Sequence, residues 1–236
     1  MTSESKRQIQ LVLVAAMAVA AVRAAYIFYQ RHIEKIEQTS RPATPLNPDY
    51  YVVPKKLYPY DLKSAKQLIQ QPVWVKEGYR YTYYPYDRAR HRTDFSREAG
   101  LLLPIQRLDI KEVVEDTAPG SAHMHQVMAV FDLQDNRYAV PVGWLTNGSY
   151  QLFSDEIFYI QDPRELYKHW PAGVWESIAQ HQVKLGMNEF QVDFAIGMGV
   201  PERQASPNVK TVHYPNGGKP VTITYHHGKA AEIRGP

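Results

Sequence analysis

Residues 185–202 read LGMNEFQVDFAIGMGVPE, with three glycines and a G-x-G at Gly197 and Gly199. A dinucleotide-binding loop needs a strand before its glycines, a helix after them and a third glycine. Here the order is reversed. Asn188 opens an N-x-x-Q pattern with Gln191, the spacing of a helix capping box. Phe190, Val192, Phe194, Ala195 and Ile196 then supply the apolar positions of a short helix, and Gly197 ends it. Pro201 follows in a loop. The glycines therefore read as helix punctuation. Gly186 sits where the preceding segment, PAGVWESIAQHQVKL, would end in a left-handed cap.

Working toward the C-terminus, VKTVHYP, PVTITYHH and AAEIRG read as three strands. Their turns fall at Asn216-Gly217-Gly218 and Gly228-Lys229. The expectation over residues 163–236 is an α-α-β-β-β two-layer domain. Taken together, Gly186, Met187, Asn188, Gln191, Val192, Ile196, Gly197 and Pro201, with Tyr214, Thr224 and the Gly228-Lys229 turn, resemble the SmpA/BamE-type domain. That resemblance covers the C-terminal third, residues about 165–236, and none of residues 1–160. It implies two helices on a three-stranded antiparallel sheet, an envelope protein that binds proteins or lipids, and no catalytic residues. Gly186, Asn188, Gln191, Gly197 and Tyr214 enter as structural positions. The chain departs from the family in having no cysteine to acylate, a longer GMGVP segment, and no tryptophan at Val212-His213-Tyr214.

Working toward the N-terminus, residues 50–160 read as β-rich. YYVVP is a short strand. DLKSAKQLIQQP is a short helix with Asp61 as N-cap and Pro72 as terminator. VWV and YRYTYYPY form a hairpin with Gly78 in the turn, and PIQRLDIKEVVED is a long bent strand. HQVMAVFDL and RYAVPVGW form a hairpin joined at Asp135-Asn136. Short strands at this spacing point to a small barrel or rolled sheet.

Residues 11–29, LVLVAAMAVAAVRAAYIFY, read as a single transmembrane helix. A helix of that length spans roughly 28 Å, close to the hydrocarbon thickness of a bilayer. Arg23 is its flaw, at about 2.5–3.5 kcal/mol for a central position, and it lies toward one end. Lys6, Arg7 and Leu11–Val22 also fit a cleavable signal. The expectation is an uncleaved signal anchor over residues 1–30, a charged helix and Pro-rich linker over 31–49, and an inner-membrane, single-pass protein. Its large domain would then be periplasmic or extracytoplasmic. The expected fold class is α+β: anchor helix, β-rich middle, C-terminal two-layer domain. The expected partners are the membrane through residues 11–29 and an envelope protein. The formal charge of +3 and the lack of a long basic run argue against nucleic acid.

No cysteine is present, which removes disulfides, thiolate metal sites and cysteine nucleophiles. His123 and His125, two apart on a strand, are weak metal candidates; no cofactor is expected. Tyr79, Tyr81 and Tyr83 share a strand face and precede Arg88, Arg90 and Arg92. Tyrosines give rigid area and arginines give forked donors, a pairing suited to an acidic contact. There is no G-x-S-x-G motif. The functional expectation is a non-enzymatic interaction module. The alternative is a small-molecule sensor or hydrolase with its site in the β-rich part.

Overall fold

The computed structural model describes residues 14, 17–33, 47–117, 119–120, 124–203 and 208–235. The chain divides into two compact units, Met1–Asn47 and Pro48–Pro236.

In the first unit residue 14 and residues 17–33 are helical. Among the described residues no helix is long and apolar enough to cross a membrane. Arg23 lies within the described helix, and Gln30, Arg31 and His32 are polar residues toward its last described position. Residues 11–13 and 15–16 of the expected span lie outside the described residues. The finding overturns the expected anchor, and with it the single-pass inner-membrane placement.

The second unit is mostly β, built on a half-barrel sheet with few, short helices. The expected α+β class with a spanning helix is corrected accordingly. Its strands are β1 (Val73–Val75), β2 (Thr82–Asp87), β3 (Arg92–Thr93), β4 (Gly100–Leu101), β5 (Arg107–Leu108), β6 (Ile110–Thr117), β7 (Met124–Leu133), β8 (Asn136–Thr146), β9 (Ser149–Leu152), β10 (Phe158–Tyr159), β11 (Val200–Pro201), β12 (Val209–Tyr214), β13 (Val221–His226) and β14 (Lys229–Arg234). The half-barrel runs β3-β2-β8-β7-β6, with β4 beside β2 and β9 beside β8.

β7 and β8 carry this sheet because both are apolar on both faces. Val127, Ala129 and Phe131 enter the main core with Val113, Val140 and Val142. Met128 and Val130 point the other way, into a smaller cluster with Tyr86, Ala139, Val114 and Phe95. Period-2 alternation makes the two sets inevitable once both faces are covered. Gln134 and Asp135 form the two-residue loop, each with positive φ (49° and 66°), as a primed hairpin turn requires. Pro141 sits beside a bulge at Val142, where Val127 faces Gly143 and Met128 faces Pro141; bulges are where a strand tolerates proline.

The expected hairpin between VWV and YRYTYYPY does not form. β1 pairs instead with β5 and β10 in a separate sheet. The reason lies at Gly78, where a Cβ would meet Pro104 at 2.1 Å; Tyr79 follows with φ 60° and donates its amide to Leu102 O at 2.7 Å. The chain is held against another loop rather than turned back. The β10-β1-β5 sheet then serves as a shared wall. Val73, Val75 and Phe158 face the first core, whereas Trp74 and Tyr159 face the second.

The second core lies under two eight-residue helices, α1 (Ala172–Ala179) and α2 (Glu189–Ile196), and the antiparallel sheet β11-β12-β13-β14. Asn188 Oδ1 accepts from the Gln191 amide at 2.8 Å, and Gln191 Oε1 accepts from the Asn188 amide at 2.9 Å, completing the box expected from N-x-x-Q. Gly186 does not cap α1, which stops at Ala179. His181 takes the left-handed position (φ 52°), with its amide on Ile178 O and the Gln182 amide on Ser177 O, the two bonds of a Schellman ending. Gly186 (φ 85°) instead turns the chain alongside β14, donating to Ala230 O at 2.8 Å. Gly197 ends α2, donating to Asp193 O. A Cβ there would lie 2.7 Å from Gly78 O, so glycine lets the β-rich half approach.

Candidate functional site

Two surfaces stand out. The first is the open seam of the half-barrel, between its end strands β3 and β6. Backbone pairing does not close it. The carboxylate of Asp116, on β6, accepts from the amide of Thr93, on β3, and from the Thr117 amide at 2.9 Å. Arg92 Nε lies 3.8 Å from the same carboxylate, His91 Nδ1 is 3.9 Å from Glu112, and Arg88 is 4.0 Å from Asp132. Beneath them Arg137 bonds Asp132 at 2.9 Å and Glu112 at 3.1 Å. Burial first, then the charges of Glu112 and Asp116, raises the pKa of Tyr86.

The seam opens into a cleft of about 670 Å³ lined by Tyr86, Arg90, Arg92, Thr93, Phe95 and Arg97 among others. Its loop is set by carboxylates that cap backbone amides. Asp87 accepts from the Ala89 and Arg90 amides, and Asp94 accepts from the Ser96 amide and hydroxyl.

The expected contact residues separate. Tyr81 and Tyr83 pack against the first core, and Tyr83 meets Phe131 and Tyr138 edge-on at 5.7 and 5.1 Å. Tyr79 packs beside Gly197 and Gly217. Arg90 and Arg92 line the cleft, while Arg88 faces Asp132. His125 lies on β7 opposite Thr117 and Leu145; His123 lies outside the described residues. Among the described residues no three His, Cys, Asp or Glu side chains group to hold a metal. Tyr214 is buried, its hydroxyl 2.6 Å from that of Tyr225.

No family model, curated protein or solved structure matches the chain.

The second surface was not among the expected contact residues. Pro48–Tyr51 is a single 3-10 turn, not the short strand read from YYVVP, and the chain then runs without strand pairing to the helical turn Leu62–Ala65. Asp49 fixes its start: one carboxylate oxygen meets His169 Nε2 at 2.6 Å and accepts from Trp170 Nε1 at 2.7 Å, and the other accepts from Asn188 Nδ2 at 3.3 Å. Val52 packs on the second core and Leu57 on the first, so this strap crosses from one to the other. A capping box between Asp61 and Ser64 ends it. Tyr50, Tyr51, Val53, Tyr58 and Tyr60 point outward at 69–84% exposure. Lys55, Lys56, Lys63 and Lys66 accompany them and enter no ion pair among the described residues. Within the strap the amides of Val53, Lys56, Leu57 and Tyr58 donate to no described residue. The signal was visible as PDYYVVPKKLYPYD, tyrosine and lysine interleaved with proline; which side chains turn outward was not.

Proposed function

We propose that this chain works by binding rather than by catalysis, as an interaction module whose strap, residues 48–60, docks an extended acidic segment of a partner protein. The observation that carries the proposal is the row of outward aromatic side chains on a strap fastened at both ends. Large exposed apolar groups concentrated in one place mark contact sites, and tyrosine supplies rigid contact area at low entropic cost. The lysines select negative charge. The free amides of the strap offer main-chain donors to an extended peptide, as in strand addition. The order of α1 and α2 before the meander β12-β13-β14 supports reading residues 165–236 as an SmpA/BamE-like domain that carries the strap's anchor points.

A panel of labelled peptides in which acidic content and apolar content vary independently, titrated against the full chain by fluorescence anisotropy, tests this. Acidic peptides with apolar residues bind, and the double variant Lys55→Glu, Lys56→Glu loses them at least tenfold. Binding indifferent to peptide charge, or unaltered in that variant, overturns it. Small-molecule sensing in the β-rich half is the second reading, favoured by the cleft at the seam.

A further inference from the structure

We propose that the helix of the first unit lies in the surface of an anionic phospholipid bilayer, parallel to it, as a peripheral contact. This contact is separate from the strap and does not depend on it. Nine large apolar side chains between Val14 and Ile33 are 39–72% exposed. Exposed apolar groups gathered on one element mark a contact site. Charge says of what kind. No Asp or Glu stands between Glu4 and Glu34, whereas Lys6, Arg7, Arg23 and Arg31 do. The stretch therefore carries one sign, complementary to anionic headgroups.

The arrangement of the two kinds of side chain sets the orientation. At about 3.6 residues per turn, Ala20, Arg23, Ile27, Gln30 and Arg31 fall within one sector of about 100°. That sector holds both arginines and the amide of the described helix. Met17, Val22, Phe28, Tyr29 and Ile33 lie on the wider remaining face; Ile27 and His32 are the exceptions to the division. Tyr26 stands at the border, where its hydroxyl accepts from Gln30 Nε2 at 2.9 Å, as suits an aromatic ring at headgroup level. A helix in the interface has this form, with its apolar face in the acyl boundary and its basic stripe toward water. A crossing helix would instead carry Arg23, near mid-length, into hydrocarbon. A second copy, packed through a seam of about two residues in seven, would leave most of the apolar face in water.

The chain has no cysteine, so a single introduced one carries a polarity-sensitive NBD label at a chosen position of the full chain. Ala20→Cys and Val22→Cys place the label two residues apart on opposite faces. With vesicles of phosphatidylcholine and phosphatidylglycerol, the label at position 22 shifts to the blue and the label at position 20 keeps its emission. A shift at both positions means a helix that crosses the bilayer, and a shift at neither means no insertion. A shift at position 22 that needs no vesicles means a contact between copies. Each of these three results overturns the proposal. Vesicle flotation tests the lipid class. Arg23→Gln weakens binding to the anionic vesicles about fivefold and leaves binding to pure phosphatidylcholine unaltered, and Phe28→Glu, at an exposed position, weakens both. Full affinity for anionic vesicles in either variant overturns the proposal as well.

Discussion

Replacing Asp193 with Asn should stabilise the protein at pH 8 and leave it nearly unchanged at pH 4. Asp193 lies on α2, above β12. Burial first, then the neighbouring charge of Glu189, pushes its carboxyl from the ordinary 3.8 up to about 7. Lys210 and the Tyr214 hydroxyl pull the other way without cancelling that, and Glu77 adds to the rise. The unfolded chain ionises this group near 3.8, so between there and about pH 7 the folded state holds more protons. By linkage, stability falls as pH rises through that window, and the loss is complete above it. A shift of about three units corresponds to a ceiling of about 4 kcal/mol. Relaxation and water penetration around a partly buried carboxylate bring that to roughly 2 kcal/mol. Asn keeps the size and a hydrogen-bonding oxygen for Tyr214 but never ionises. For a unit of this size, 2 kcal/mol raises Tm by roughly 4–8 °C. Melting curves of parent and variant at pH 4, 6 and 8 give the difference directly, with all other titrations cancelling. A variant that is less stable at pH 8, or that differs by the same amount at all three pH values, refutes the reasoning.

Three further substitutions probe the frame. Gly197→Ala loses the positive φ and places a Cβ 2.7 Å from Gly78 O, whereas Gly186→Ala meets nothing within 4 Å; chemical denaturation should show a loss of about 1 kcal/mol for Gly186→Ala and at least twice that for Gly197→Ala. Asn188→Ala removes both the cap of α2 and a donor to Asp49, so a destabilisation of about 1–2 kcal/mol is expected from the same measurement. Asp116→Ala leaves the Thr93 amide without its acceptor, at about 1–3 kcal/mol, and hydrogen exchange should speed up at Arg92–Thr93 while β12–β14 stay protected.

Local signals read well from the sequence. The Asn188–Gln191 box and the Asp61 cap depend only on residues a turn apart. The β7–β8 hairpin was legible because two apolar runs flank turn residues. What failed depends on distant contacts. Gly186 looked like the cap of α1, yet the helix stops earlier because His181 adopts the left-handed position and its Nδ1 lies 3.1 Å from Ala195 O. The supposed Gly78 hairpin opened because Pro104 and Gly197, far along the chain, crowd that glycine. Tyr81 and Tyr83 alternate as a surface face would, but the sheet folds them onto the first core. The arginine cluster was visible as a cluster; that Asp116 bridges the seam behind it was not, since burial of a carboxylate leaves no local mark. The same is true of Asp193. The apolar run at residues 11–29 is the clearest correction: length and composition suggested a span, and among the described residues no helix is long and apolar enough to make one.

The central claim, that residues 48–60 form the contact surface for an acidic segment, is tested most directly by photo-cross-linking in the protein's own cells. A photoreactive residue replaces Tyr58 in the full chain, with a second at Glu165 as an exposed control. The account predicts adducts at position 58 that map by mass spectrometry to an acidic stretch of one partner and disappear when Lys55 and Lys56 become glutamate. Adducts at position 58 no more specific than at 165, or unchanged by the charge reversal, would contradict it.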